Sequence, residues 1–223
     1  MVFDLDDTLY PELRFALSGY AAVAQAIGTE SGMPPIVLYR FLVRRFRRQG
    51  REGLLQALCL AFALSPQEVP RLVEIIRTHR PRLRLPATSR QVLALLRARG
   101  HRLAVLTNGL PATQRGKVQA LGLADLVDVV VYAQEHAPEG KPARACFAAV
   151  LSRLNVAAPQ AVFIGDHPEK DVAGAAAAGL RPIWLAGRRV DDAPPRAEAV
   201  VRSLAEVPEL VARLLEVSHV ATC

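Results

Sequence analysis

The chain has 223 residues, of which 51% are apolar, enough for one good-sized domain or a core with a modest insertion, and too apolar for a disordered segment. No apolar run approaches the roughly 20 residues that cross a bilayer, and Cys59, Cys146 and Cys223 are too scattered for a disulfide framework or a paired metal spacing, which points to a reducing cytoplasm. The net charge of +7 arises in a composition where 25 of the 28 basic residues are arginine; its densest cluster, Arg44, Arg45, Arg47, Arg48 and Arg51, points in several directions on a helix and accompanies no nucleic-acid motif, so neither nucleic acid nor membrane is expected as a partner.

Residues 1–3 form a short apolar strand that empties into Asp4, Asp6 and Asp7. Because these acids begin at the fourth residue, no secretory leader is expected ahead of them. The three-residue strand is short, so either it is clipped here or the natural start lies upstream of Met1. Weak pairing of so short a strand would leave Asp4 poorly positioned. Residues 13–86 then show helical periodicity without a convincing strand, with helices expected over 13–27, 35–48, 52–63 and 66–77. Gly28, Gly32, Pro34 and Gly50 supply the breaks, and Ser65-Pro66 reads as an N-cap followed by a first turn.

Beyond Pro86 the pattern alternates. A helix over 89–99 ends at Gly100, and an apolar run over 103–106 stops at Thr107-Asn108-Gly109. A helix over 112–121 leads to a strand over 127–131, and a helix over 142–154 leads to one over 161–164. That strand ends at Gly165-Asp166. A helix over 170–178, strands over 182–185 and 199–201, and a closing helix over 207–217 complete the chain. Short apolar strands alternating with helices predict an α/β fold, a Rossmann-like parallel sheet covered by helices on both faces. The domain boundaries expected are 1–12 with 87–223 for this core and 13–86 for an inserted helical bundle. An insert placed directly after the first strand stands at that strand's carboxyl end, where open α/β sheets bind ligands.

The chemistry gathers at strand ends. Asp4 and Asp6 are two apart, so in an extended chain both leave one face. One could attack an electrophile while the other shuttles a proton, although Asp-x-Asp alone also fits calcium loops and solvated turns. Thr107 closes another strand, Lys141 lies in the loop after a third, and Asp166 with Asp171 follows a fourth. If those strands are parallel neighbours, all these groups share one edge of the sheet.

In order, Asp4-Leu5-Asp6-Asp7-Thr8, Thr107, Lys141 and Gly165-Asp166 with Asp171 resemble the four motifs of the haloacid dehalogenase superfamily across nearly the whole chain. The helical block between the first two motifs is similar to the family's α-helical cap. The resemblance implies Mg²⁺ held by Asp4, Asp166 and the backbone carbonyl at Asp6. It makes Asp4 the nucleophile that forms an aspartyl-phosphate and Asp6 the acid and base. Thr107 and Asn108 would hold phosphoryl oxygens, with Lys141 adding a point charge beside them and orienting Asp4. Asp171 would support the metal and Lys141, and Thr8 would support the first motif. His167 reads as structural, Asp7 as a turn residue, and Cys59 and Cys146 as core.

The function implied is a Mg²⁺-dependent phosphatase of a small phosphorylated metabolite, of sugar-phosphate or nucleotide type, acting in the cytoplasm as a monomer or homodimer. Asp6 argues against the dehalogenase branch, because a departing halide needs no proton. The alternatives are a phosphomutase, or a non-catalytic protein of this fold that binds a phosphate ligand. Tyr10, Arg14 and Tyr20, where the helical block begins, are candidate leaving-group contacts.

Overall fold

The computed structural model describes residues 1–187 and 196–220. The chain divides into two compact units. One comprises Met1–Pro11 and everything described from Arg84 onward, and the other is Glu12–Leu83.

The first unit is built on a six-stranded, wholly parallel sheet. Its strands are β1 (Val2–Phe3), β2 (Ala104–Thr107), β3 (Val129–Tyr132), β4 (Val162–Gly165), β5 (Arg181–Leu185) and β6 (Ala199–Val201). They lie in the order β3-β2-β1-β4-β5-β6. The chain winds outward from β1 on one side and then on the other, so the order reverses between β1 and β4. In such sheets ligands bind beyond the carboxyl ends at that reversal, and here those ends carry Asp4 and Asp166.

The brevity of β1 does not leave it weakly paired. It is central, with Val2 and Phe3 in register with Ala104 and Val105 on one side and with Phe163 and Ile164 on the other. The Asp4 amide also donates to the Ile164 carbonyl at 2.9 Å, which continues the ladder to the residue that matters.

Both faces of the sheet are buried, as crossover helices require. Val2, Ala104, Leu106 and Phe163 pack with Phe147 and Val150 of α7 (Arg144–Leu154) in one cluster, while Phe3, Val105, Ile164 and Ile183 are equally inaccessible. The unit's other helices are α5 (Ala87–Ala98), α6 (Pro111–Leu121), α8 (Gly174–Ala177) and α9 (Val207–Val220). Ahead of α8 the backbone makes a wider π-type turn over Pro168–Ala173, where the sequence predicts a regular helix from residue 170. Its entry is fixed by His167, whose Nδ1 accepts from the Glu169 and Lys170 amides at 3.3 Å each.

The second unit contains α1 (Leu13–Ser31), α2 (Pro35–Gln49), α3 (Leu54–Ala61) and α4 (Val69–Thr78). Along α1, Ala16, Tyr20, Val23, Ala24 and Ile27 recur at helical spacing and bury against Leu38, Leu42, Leu58 and Leu72. Gly28 does not break α1, because a side chain there would collide with Pro35 and the Met33 carbonyl. It permits close approach, and the stop comes at Gly32, whose positive φ of 75° is the left-handed C-cap. Arg44, Arg47 and Arg48 are exposed, as a solvated face demands. No helix among the described residues is long and apolar enough to cross a membrane.

Candidate active site

Three strand ends of the first unit, those of β1, β3 and β4, bring their acids and a lysine together. Asp4, one residue past β1, is 7% exposed, and Asp171 and Lys141 are 2% and 3% exposed. Carboxylate oxygens of Asp4, Asp166 and Asp171 lie within 4.8 Å of one another. The Lys141 ammonium donates to Asp4 Oδ1 at 2.5 Å and to Asp171 Oδ1 at 2.6 Å.

Each group has a local reason for its place. The Asn108 side chain clamps Lys141 by its backbone, accepting from the amide at 2.8 Å and donating to the carbonyl at 3.0 Å; it thereby ties the end of β2 to the loop after β3. Asp171 turns inward because Gly165 has no side chain; a Cβ there would overlap its carboxylate. Its second oxygen accepts from the His167 amide at 3.1 Å, so both oxygens have protein donors. The Asp166 backbone is held by Trp184, whose indole donates to its carbonyl at 2.9 Å. Asp7 takes a left-handed turn, φ 57°, and is exposed. Thr8 is buried, with its hydroxyl lacking a hydrogen-bond partner. A cavity of about 420 Å³ opens beside these residues, lined by Asp7, Thr8, Ser89, Asp166 and Arg202.

Charge decides what the cluster can hold. Three carboxylates against one ammonium would carry two negative charges in excess if all were ionised, and with Asp4 and Asp171 nearly inaccessible that arrangement costs several kcal/mol unless compensated. Burial pushes Asp4 up to about 8 despite the opposing pull of Lys141, with Asp171 adding to the rise. Burial, then Asp171 and Asp7, push Asp166 up to about 6. Burial alone would lower Lys141, but the charges of Asp171 and Asp4 and their hydrogen bonds outweigh it and leave it raised. A hard divalent cation with oxygen ligands fits this donor set in both charge and chemistry.

A pH-dependent stability follows. Burial holds Asp4 and Asp166 above their ordinary range, so between about pH 4 and pH 8 these two groups bind more protons in the folded protein without metal than in the unfolded chain. Their contribution to stability is therefore lost as pH rises through that window. Mg²⁺ is expected to raise the melting temperature more at about pH 8 than at about pH 5. Differential scanning calorimetry with and without the ion checks this, and an equal rise at both pH values contradicts it.

Asp6 goes elsewhere. Its carboxylate accepts from Lys117 Nζ at 2.9 Å on both oxygens, from Gln114 at 2.8 Å and from the Tyr10 hydroxyl at 2.5 Å. Gln114 also donates to Thr107 Oγ1 at 2.6 Å. The motifs did not reveal Lys117 and Gln114. Tyr10, considered above as a contact from the helical block, belongs to the sheet unit and serves Asp6. Arg14 and Tyr20 lie in the second unit, where Tyr20 is a buried core residue. Cys59 and Cys146 are buried with free thiols, and Cys223 lies outside the described residues.

A family model described as haloacid dehalogenase-like hydrolase matches residues 1–179. The chain belongs to this family. Among curated relatives, a phosphoserine phosphatase of Thermus thermophilus is 37% identical over 64% of this chain and 57% of its own length, so the chain spans little more than half of that relative. A ribulose-1,5-bisphosphate 5-phosphatase of Halopiger xanaduensis is 30% identical over 89% of each chain. A solved 2-haloacid dehalogenase from Pseudomonas syringae superposes with a TM-score of 0.66 at 28% identity, covering 96% of this chain and 97% of its own. In this haloacid dehalogenase-like hydrolase, the Lys117–Gln114–Tyr10 arrangement around Asp6 lies outside the four motifs.

Proposed function

We propose that this chain, a phosphoric monoester hydrolase of the haloacid dehalogenase-like family, transfers the phosphoryl group of a small phosphorylated metabolite first to Asp4 and then to water. The observation that supports this is the meeting of the Asp4, Asp166 and Asp171 carboxylates, with Lys141 paired to Asp4 and Asp171 and more acid present than one ammonium balances. Asp4, Asp166 and the backbone carbonyl of Asp6 would hold Mg²⁺, with Asp171 engaged mainly by Lys141 and the His167 amide. When bound, the ion neutralises the excess charge and draws electron density from the phosphoryl oxygens.

In the first step an Asp4 oxygen forms a bond to phosphorus in line with the breaking bond to the leaving oxygen, and Asp6 donates a proton to that oxygen. In the second, Asp6 takes a proton from water. The water oxygen then bonds to phosphorus and the bond to Asp4 breaks, releasing phosphate and restoring both acids. Lys141 steadies Asp4 as its charge is consumed and returned, and Thr107 with the Asn108 amide holds phosphoryl oxygens.

Phosphatase names among relatives on esters of serine, a ketose bisphosphate and a triose support a sugar-phosphate or similarly small substrate, and support hydrolysis over a mutase. We take unit 12–83 to be a cap that supplies selectivity, in a cytoplasmic monomer or homodimer. Phosphate release from a panel of phosphorylated metabolites, measured with Mg²⁺ and then with excess EDTA, tests the reading. Turnover of several small esters that EDTA abolishes and Mg²⁺ restores is expected. No metal-dependent turnover of any of them would favour the phosphate-binding, non-catalytic alternative.

A further inference from the structure

We propose that Lys117, with Tyr10, is a positioning residue that fixes the Asp6 carboxylate for proton transfer to the leaving oxygen, an inference that rests on the phosphatase reading above. Lys117 is 3% exposed and Gln114 1%, although α6 also carries exposed residues such as Ala112 and Arg115. The two are three apart and so share one helix face. Burying an ammonium is costly unless it is paired, and Lys117 is paired with both Asp6 oxygens.

The composition sharpens the point. Only three lysines stand among 28 basic residues. Lys170 is exposed, whereas Lys141 and Lys117 are buried against separate carboxylates, Lys141 on Asp4 and Asp171, Lys117 on Asp6. A compact ammonium fits behind a carboxylate where a planar guanidinium would need a wider slot.

The clamp leaves work for Asp6. Its side chain retains 22% of its surface, so it remains accessible while it is held. Asp6 lies beyond β1, next to left-handed Asp7, where an isolated bridge to Tyr10 holds its backbone and side-chain donors are left to fix its carboxylate. A proton donor displaced by about an ångström can lose roughly two orders of magnitude in rate. Gln114 links the same carboxylate to Thr107, coupling the proton donor to the residue assigned to a phosphoryl oxygen.

The test uses the dependence on leaving group. The quantity kcat/KM reports steps through departure of the leaving group. An alkyl phosphate needs a proton there, while dinitrophenyl phosphate leaves without one. Lys117→Met is expected to lower kcat/KM for an alkyl phosphate about 10- to 100-fold more than for dinitrophenyl phosphate. Tyr10→Phe, which removes one hydroxyl from a residue that is otherwise retained, should shift the ratio in the same direction and stands in if Lys117→Met does not fold. Equal losses on the two esters, or no loss, would overturn the positioning role while leaving the phosphatase reading intact. A wild-type protein inert toward both esters would instead overturn that reading, and the role with it.

Discussion

Replacing Asp4 with asparagine is expected to lower kcat by about 10⁴-fold or more while orthophosphate still binds. The substitution preserves shape but removes the oxygen that attacks phosphorus. The fold should tolerate it, because Lys141 keeps its 2.6 Å bond to Asp171 and because ionised Asp4 is itself a burden in the protein without metal, with burial raising its pKa to about 8. Asp4→Asn should therefore melt no lower than wild type at about pH 8 without Mg²⁺, the direction required for a carboxylate whose folded pKa is raised. Single-turnover assays, calorimetric titration with orthophosphate and thermal melts check the three parts. A variant within tenfold of wild-type kcat would place the nucleophile elsewhere.

Lys141→Ala should produce the second large effect, and on stability as well as rate. It strips the shared ammonium from Asp4 and Asp171, both nearly inaccessible. Breaking a buried pair by removing one partner costs about 3–5 kcal/mol. Because a stranded Asp4, already raised to about 8 by burial, can escape by taking up a proton, the loss should be smaller at about pH 5 than at about pH 8. Activity should fall about 10²- to 10³-fold, the usual loss when a preorganised electrostatic contact to developing charge is removed. Urea denaturation at the two pH values and steady-state kinetics measure these. Wild-type stability at the higher pH would mean that the acids do not depend on Lys141.

The sheet and the convergence at its edge were legible because three of the chemical groups end or directly follow an apolar run, Asp4 after Val2–Phe3, Thr107 at the end of β2 and Asp166 after β4, with Lys141 and Asp171 in the loops beyond. A parallel sheet turns that one-dimensional regularity into a common edge. Periodicity does not encode the order in which strands pair, however, nor the central place of β1, whose two residues gain their strength from neighbours on both sides.

What stayed hidden lies off the strand ends. Gln114 and Lys117 sit on α6, where nothing in the local pattern marks two polar residues as facing a carboxylate more than a hundred positions away. The one signal was compositional, a rare lysine three residues from a glutamine in a chain that otherwise prefers arginine. Gly28 was misleading for a similar reason, since its small size serves contact with Pro35 rather than a helix end. Tyr10 was assigned by proximity in sequence to the helical block, yet its hydroxyl belongs to Asp6.

The central claim is that phosphorus bonds to Asp4 on its way to water. Acid quenching of the enzyme during turnover with Mg²⁺ and a small phosphate ester, followed by mass spectrometry of the peptide bearing the first ten residues, examines it directly. The account predicts a phosphoryl adduct on Asp4 that is labile to base and absent from Asp4→Asn. Steady turnover with no adduct on that peptide, or with the adduct on another residue, would contradict it.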